Sequence, residues 1–306
     1  MPRAALRAAA ARLTEGYRTT PDANATAIRD ATDALAYAAV RMPATFAAVA
    51  AALDRAAGRT AGFAPATHLD VGSAPGPAAL AAAAVWGGIA ETTLVERDRH
   101  LAALGRDLLS AAGGADTDWR TDDLRASGDL GGPFDLVTAG YVLSEIPEAA
   151  RDGLVDALWR ATGGLLVIVD AGSRAGHARI LAARDRLLAR GAHLVGPCPH
   201  AGPCPLATGP DWCHAAVRLP RSRLHMQAKD VDRPYEDEPH AWLAVARTAP
   251  TGVVAGRVLR APEVSKAGTV LTLCTPAGVE RRTVPKRDKA AFRAAARLDW
   301  GDAVEG

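Results

Sequence analysis

The sequence lacks several features that would place it in common protein classes. It has no run of about 18 uncharged apolar residues, which argues against a transmembrane helix. Its N-terminus carries Arg3, Arg7 and Arg12 among alanines, without the continuous apolar stretch and the cleavage site of a secretory signal. We therefore expect a cytoplasmic protein that does not associate with a membrane.

Cysteine and lysine are both scarce. The chain has four cysteines in 306 residues, and in a reducing cytosol these are expected to be metal ligands or free thiols rather than disulfides. Only four of the 36 basic residues are lysine, which we attribute to genomic composition. Residues 215–300 hold 16 basic and nine acidic residues, whereas the rest of the chain has a net charge of −5. This basic segment predicts an anionic partner, with an ordinary solvated surface as the alternative.

The stretch Asp70-Val71-Gly72-Ser73-Ala74-Pro75-Gly76 lies between a predicted strand and an alanine-rich predicted helix. Glycine permits positive φ and lets a ligand approach the backbone closely. A strand, a glycine turn and a helix N-terminus therefore form a ligand site in many α/β proteins. The stretch has neither the Gly-Lys-Ser/Thr ending of a phosphate-binding loop nor the third glycine of the dinucleotide pattern. The alternative is a simple strand–turn–helix connection.

The order of the predicted elements indicates an α/β protein. Residues 1–62 are predicted to form an N-terminal helical subdomain, and from residue 66 strands alternate with helices. That alternation is typical of a parallel sheet with helices on both faces. We predict a Rossmann-like core over residues 63–191. Residues 192–306 would hold a cysteine-rich insertion, the basic segment and the last strands, for which Trp242–Arg247 and Val270–Cys274 are the candidates.

The pattern Asp-x-Gly-x-x-x-Gly resembles motif I of the class I S-adenosylmethionine (SAM)-dependent methyltransferases, although alanine stands at their frequent middle glycine. The resemblance implies a seven-stranded, mostly parallel sheet whose last pair of strands is antiparallel. It also implies that Glu96 accepts the ribose hydroxyls of SAM and that Asp122 or Asp123 reaches the adenine. The expected cofactor-binding residues are Asp70, Gly72, Ser73, Ala74, Gly76, Glu96, Asp122, Asp123 and Ala139.

The segment after the fourth predicted strand resembles motif IV of the same enzymes, where substrate and methyl donor meet. Tyr141, Ser144 and Glu145 lie where a substrate would lie, and a packing role is the alternative. The Asn/Asp-Pro-Pro-Tyr/Phe motif of exocyclic amine methylation is absent. Methylation of cytosine C5 needs a free cysteine nucleophile, and none remains if all four cysteines bind metal. The sequence therefore assigns no catalytic residue.

Three cysteines fall within 16 residues of a proline-rich stretch, and the fourth, Cys274, lies 61 residues beyond Cys213. A loop with so little regular backbone hydrogen bonding has a physical reason to be held by a metal. Four thiolates suit tetrahedral zinc or an iron–sulfur cluster. The Cys-Pro pairs favour iron–sulfur, His200 and His214 keep a mixed zinc site open, and four unrelated cysteines are the alternative.

Several further segments resemble one family, that of mitochondrial ribosomal small-subunit methyltransferase-like assembly factors and their bacterial relatives. They include Arg-Met-Pro-Ala-Thr from Arg41, Pro-Cys-Pro-His from Pro197 and Asp-Trp-Cys-His from Asp211, so that the resemblance spans about residues 30 to 302. It implies a class I fold, a role in small-subunit assembly and a [4Fe–4S] cluster. The implied cluster ligands are Cys198, Cys204, Cys213 and Cys274.

The expected partner is the ribosomal RNA of the small subunit, bound by a chain that is monomeric off the ribosome. Phosphate contacts come chiefly from arginine and lysine, so the basic segment favours RNA over a small substrate. The candidate RNA-binding residues are Arg218, Arg221, Arg223, Arg281, Arg282 and Arg287. Two alternatives remain, a non-catalytic RNA-binding assembly factor that retains SAM affinity and a small-molecule methyltransferase.

Overall fold

The structure is a computed structural model that describes residues 3–19, 28–122, 124 and 128–305. Its α-helices are α1 (Arg3–Thr19), α2 (Ala31–Val40), α3 (Met42–Ala57), α4 (Pro77–Val85), α5 (Arg99–Ala112), α6 (Glu148–Ala161), α7 (Arg174–Ala189), α8 (Arg223–Lys229) and α9 (Lys289–Ala295). Within the described residues no single helix is long and apolar enough to span a membrane. The consecutive helices α2 and α3 meet those criteria only together, and they are bent by 49°.

The strands form two sheets. The first contains β1 (Thr67–Val71), β2 (Glu91–Val95), β3 (Asp116–Arg120), β4 (Phe134–Gly140), β5 (Thr162–Ala171), β6 (His193–Gly196), β7 (Ala215–Pro220) and β8 (Tyr235–Ala246). The second contains β9 (Val254–Val258), β10 (Glu263–Val264), β11 (Gly268–Thr275), β12 (Gly278–Pro285) and β13 (Ala303–Glu305).

The first sheet has the strand order β3-β2-β1-β4-β5-β8-β6. Strands β1 to β5 are all parallel to one another. Strand β8 runs antiparallel to both β5 and β6. This is the class I methyltransferase fold with its antiparallel last pair, as the sequence predicted. The predicted number of seven strands is wrong, because β7 adds an eighth strand along the first half of β8, from Tyr235 to His240.

The prediction that Val270–Cys274 completes this sheet is also wrong. The segment belongs to β11, which pairs with β12 over its whole length through a hairpin and with β9 on its other side. A local hairpin closes a short loop, so it costs less entropy than a return to the distant first sheet. In addition, both edges of β8 already pair with other strands, namely β5 on one side and β6 and β7 on the other.

Helices cover both faces of the first sheet because its central strand β5 is apolar over five consecutive residues. Residues Leu165–Val169 of β5 are at most 1% exposed, and such continuous apolar strands need cover on both sides. Their alternating side chains divide between two clusters. One contains Leu158 of α6 and Leu187 of α7, and the other contains Leu53 of α3 and Ala81 of α4.

The N-terminal helices differ in what they contact. Helix α3 is part of the core and packs on α4 and β8. Helices α1 and α2 form a separate apolar cluster with α8, centred on Leu13, Val40 and Ala228. The second sheet has its own small core of Val258, Leu271 and Leu273. The division into three domains at residues 62 and 191 stays a prediction.

Candidate functional site

The glycine turn after β1 has left-handed backbone at three alternate positions. Gly72 has a φ of 73°, Ala74 of 47° and Gly76 of 88°. A Cβ on Gly72 would lie 2.7 Å from Cγ2 of Val142, so a side chain there is excluded by space as well as by conformation. Ala74, the departure from motif I, thus occupies a conformation that favours glycine.

Glu96, at the end of β2, braces this turn. Its Oε2 accepts the N–H of Ala74 at 2.8 Å and its Oε1 accepts the N–H of Asp98 at 2.7 Å. Asp98 in turn caps α5 by accepting two backbone N–H groups. Burial raises the pKa of Glu96. The spacing of motif I indicated a ligand role for this carboxylate, but it gave no sign of the bonds that fix the turn.

Asp70 is the buried acidic group of the turn. Thr138 donates to its Oδ1 at 2.9 Å, and Nε2 of His68 lies 2.8 Å from the same hydroxyl. Because one hydroxyl donates one proton, His68 must donate to Thr138 when Asp70 is ionised. Oδ2 of Asp70 has no partner within the described residues. Burial raises the pKa of Asp70 to about 7 and lowers the pKa of His68 to about 3.

The glycine turn, Asp70 and Glu96 line one cavity of about 240 Å³, which we call the cofactor cavity. It is lined by Asp70, Gly72, Ser73, Ala74 and Glu96 from the expected set. Sequence reasoning missed its other wall, to which the N-terminal helices contribute Tyr37 and Thr45; their sequence carries no ligand motif.

The remaining expected cofactor residues lie elsewhere. Asp122 lines a smaller neighbouring cavity that also touches Gly72 and Glu96, and Asp123 is outside the described residues. Ala139 is 1% exposed and packs in the core. Gly76 precedes α4 and has Leu109 beside its Cα, so its contribution is to the turn itself.

A second cavity, of about 480 Å³, adjoins the first because both are lined by Tyr37, Thr45, Tyr141 and Glu145. We call it the acceptor cavity. The three substrate candidates Tyr141, Ser144 and Glu145 all line it. Ser144 donates to the carbonyl of Tyr141 at 2.7 Å, which fixes the backbone of the segment after β4.

The four cysteines line one cavity, the cysteine cavity, although they come from different parts of the chain. Three lie in the segment between β6 and β7, and Cys274 lies on β11. Burial and the neighbouring thiols raise the pKa of Cys198 to about 11 and that of Cys274 to about 12. Within the described residues, however, no group of three or more His, Cys, Asp or Glu side chains is arranged to hold a metal ion.

The two histidines near the cysteines in the sequence, His200 and His214, have different surroundings. Nε2 of His200 lies 3.9 Å from the sulfur of Cys274, and His200 lines the cysteine cavity. His214 stacks against Trp212 and packs on Trp300, with ring centroids 5.6 and 4.5 Å away. His214 therefore has a packing role, and only His200 is next to the thiols.

Two arginines beside the cysteine cavity are each 2% exposed. Arg184 donates to the carbonyls of His200 and Gly202 and so holds the cysteine loop to α7. Nη1 of Arg257 donates to the sulfur of Cys213 at 3.0 Å, while its Nε and Nη2 have no partner within the described residues. A buried cation is costly unless an anion neutralises it. Four thiols beside such a cation fit the donor chemistry of a negatively charged tetrathiolate centre.

The six candidate RNA-binding arginines lie in two regions, around β7 and α8 and around β12; Arg223 begins α8 and Arg287 lies between β12 and α9. Arg218 and Arg221 belong to β7 and the residue after it, and Arg281 and Arg282 to β12. Four of the six form ion pairs: Arg218–Asp237, Arg221–Glu236, Arg281–Glu263 and Arg282–Glu280. Arg223 and Arg287 are exposed.

The pKa of Asp70 predicts how pH changes stability. Between its usual value of 3.8 and about 7, the unfolded chain has released the proton that the folded chain retains. Rising pH over this window therefore favours unfolding, by at most about 4 kcal/mol. We expect the unfolding free energy of the wild type, measured by urea denaturation without cofactor, to fall relative to Asp70→Asn from pH 4 to 7. Parallel curves for the two proteins would contradict this.

Solved structures with the same kind of fold are distant. A precorrin-6y C5,15-methyltransferase from Geobacter metallireducens is 14% identical, with a TM-score of 0.42 over 66% of this chain and 87% of that one. A magnesium protoporphyrin IX methyltransferase from Synechocystis with bound SAM is 15% identical, with a TM-score of 0.40 over 72% of this chain and 85% of that one. At this level of similarity they carry no argument about activity.

Curated relatives are closer in sequence. Human "Ribosome assembly protein METTL17, mitochondrial" is 29% identical over 290 residues, which cover 88% of this chain and 61% of that protein. "Rsm22-cox11 tandem protein 1, mitochondrial" of Schizosaccharomyces pombe is 27% identical over 215 residues, 55% of this chain and 29% of that protein. The chain thus spans less than two thirds of the length of either relative.

These names overturn one expectation. The relatives are mitochondrial proteins, so the predicted cytoplasmic location is wrong on this comparison. The family resemblance is in contrast confirmed, because a family profile described as "Mitochondrial small ribosomal subunit Rsm22" matches residues 31–305. That match includes the glycine turn, both adjoining cavities and all four cysteines, and the chain belongs to the Rsm22 family.

Proposed function

We propose that this chain is a SAM-binding, methyltransferase-like assembly factor that acts on or binds small-subunit ribosomal RNA and carries a [4Fe–4S] cluster. One observation carries the SAM assignment. The left-handed turn, Glu96 and the buried carboxyl of Asp70 line one cavity at the carboxyl end of β1 and β2. This edge is where ligands bind in open α/β sheets.

Each end of SAM has a complementary group in the cofactor cavity. The carboxylate of Asp70 offers an acceptor for the ammonium group, and each Glu96 oxygen has capacity beyond the amide bond that it already accepts. Glu96 would then hold the ribose hydroxyls while it braces the turn. SAM bound there would supply an activated methyl group towards the acceptor cavity.

The substitution Glu96→Gln tests SAM binding at nearly constant side-chain volume, although the amide nitrogen can no longer accept one of the two N–H groups of Ala74 and Asp98. It removes the charge from up to two hydrogen bonds to the ribose, each on the order of 1.5–3 kcal/mol, so the affinity for SAM should fall at least tenfold. The matched control is Glu91→Gln at the exposed start of the same strand, which should bind normally. Isothermal titration calorimetry checks this, and undiminished affinity in Glu96→Gln would remove Glu96 from the site.

The cluster proposal rests on the shared cysteine cavity and on Arg257. Cys198, Cys204, Cys213 and Cys274 would hold the cluster, and a tetrathiolate centre would give the unpartnered nitrogens of Arg257 a negative charge to face. Its role would be structural, since it would join the loop before β7 to β11 of the second sheet. Zinc on the same thiolates is the alternative.

The variant Cys204→Ser should lose the metal, because a tetrathiolate site with three thiolates binds far more weakly. After anaerobic purification we expect iron and sulfide in the wild type and in Thr208→Ala, an exposed control in the same loop, but not in Cys204→Ser. SAM affinity should be retained in all three. One zinc without sulfide in the wild type would contradict the cluster, and metal-free wild type would contradict the site.

RNA binding should depend steeply on salt. Neutralised phosphates release counterions, so the logarithm of affinity falls in proportion to the number of contacts. Replacing Arg281 or Arg287 with alanine should reduce the slope by about 1 each, while Arg190→Ala, just after α7, should leave it unchanged. Filter binding of a small-subunit RNA fragment across a salt series measures this. Absence of binding at low salt would favour the small-molecule alternative.

A further inference from the structure

The acceptor cavity is built by four separate parts of the chain. Tyr37 comes from α2, Tyr141 follows β4, Ser173 follows β5 and Glu238 lies on β8. Its floor is therefore the carboxyl edge of β4 and β5, the same edge at which the glycine turn follows β1. Because the walls of the two cavities share Tyr141, a molecule in one is next to a molecule in the other.

Tyr141 is held in a costly conformation. Its φ is 62°, which lies in the left-handed region that a bulky residue adopts only when its surroundings hold it there. Its N–H donates to the carbonyl of Val169 at 2.7 Å, and its hydroxyl donates to Oε1 of Glu238 at 2.9 Å. Backbone held in this way at a cavity wall points to a ligand-binding role rather than to packing alone.

Glu238 differs from the acidic residues that precede it on β8. Glu236 lies among Arg221, His225 and Lys229, and Asp237 pairs with Arg218. Glu238 instead accepts the phenol of Tyr141 and lines the cavity. A carboxylate at a cavity wall is an acceptor for N–H groups and repels anions.

We propose that the acceptor cavity binds a nucleobase that carries an exocyclic amino group, with Glu238 accepting the amino N–H and Tyr141 positioning that carboxylate. The proposal deepens the function proposed above and rests on it. Two tyrosine rings in the lining suit a planar base, and about 480 Å³ is ample for one base. At its own position Glu238 selects a donor over a carbonyl, while Arg41 and Arg179 line other parts of the cavity.

Nucleotide pairs that differ only in the amino group test this recognition directly. Cytidine and uridine monophosphates form one pair, and guanosine and inosine monophosphates form another. Saturation-transfer NMR with the full chain, with S-adenosylhomocysteine filling the cofactor cavity, measures their dissociation constants. We expect the amino-bearing member of each pair to bind at least tenfold more tightly, the loss expected for one hydrogen bond to a charged acceptor.

The substitution Glu238→Gln replaces an acceptor by a group that also donates, so the preference within each pair should disappear. Tyr141→Phe removes only the phenol bond, and we expect a weaker preference for the amino-bearing member of each pair. Asp237→Asn, exposed on the same strand, is the control and should keep the wild-type preference. Tyr141→Phe also keeps the test informative if Glu238→Gln fails to fold.

Three results would overturn the proposal. The first is equal binding of the two members of each pair by the wild type. The second is a preference that survives Glu238→Gln. The third is binding of a peptide that contains a glutamine or lysine side chain, when the nucleotides do not bind. The last outcome would assign the cavity to a protein substrate. Failure of the function proposed above is distinct, because S-adenosylhomocysteine would then not bind at all.

Discussion

The antiparallel strand β8 is the constraint on which the arrangement of the sites depends. Its second half lies between β5 and β6 and is almost completely buried from Ala241 to Ala246, so its position is fixed by two ladders and by the core. The residues just before that half therefore have little freedom. Glu238 is held at the acceptor cavity, and Trp242 lines the cysteine cavity four residues later. Two sites of different chemistry are thus supported by one strand.

The cysteine cavity is also where the two sheets meet. Cys274 and Arg257 are paired residues on β11 and β9 of the second sheet, while the other three cysteines come from the loop beside the first sheet. The guanidinium of Arg257 is enclosed together with the sulfur of Cys213. Burial of an unneutralised cation opposes folding, and an anionic metal–thiolate centre would remove that cost. Metal binding and docking of the second sheet would then be coupled.

The sequence predicted the fold where local pattern and chemistry agree. The glycine turn, the alternation of elements and the carboxylate after β2 led to the correct prediction of a mostly parallel sheet that contains β1 to β5. It did not predict β7 or the second sheet, because strand propensity does not specify a partner: Val270–Cys274 was recognised as a strand, but it pairs with β12 and β9 and not with the first sheet. The sequence predicted only part of the acceptor cavity. Tyr141 follows a recognisable strand, whereas Glu238 contacts Tyr141 across 97 residues of sequence.

Charge pairing decides which arginines remain available to a polyanion. Arg218 and Arg281 are each more than 60% exposed, and exposed ion pairs are worth about 0–1 kcal/mol, so a phosphate can replace their carboxylate partners at little cost. Arg221 is only 12% exposed. Its partner Glu236 also contacts His225 and Lys229, and these contacts hold the pKa of that carboxyl well below its usual range. Releasing Arg221 would disrupt a partly buried cluster at the junction of β7, α8 and β8, so a phosphate would displace its partner less readily than the partners of Arg218 and Arg281.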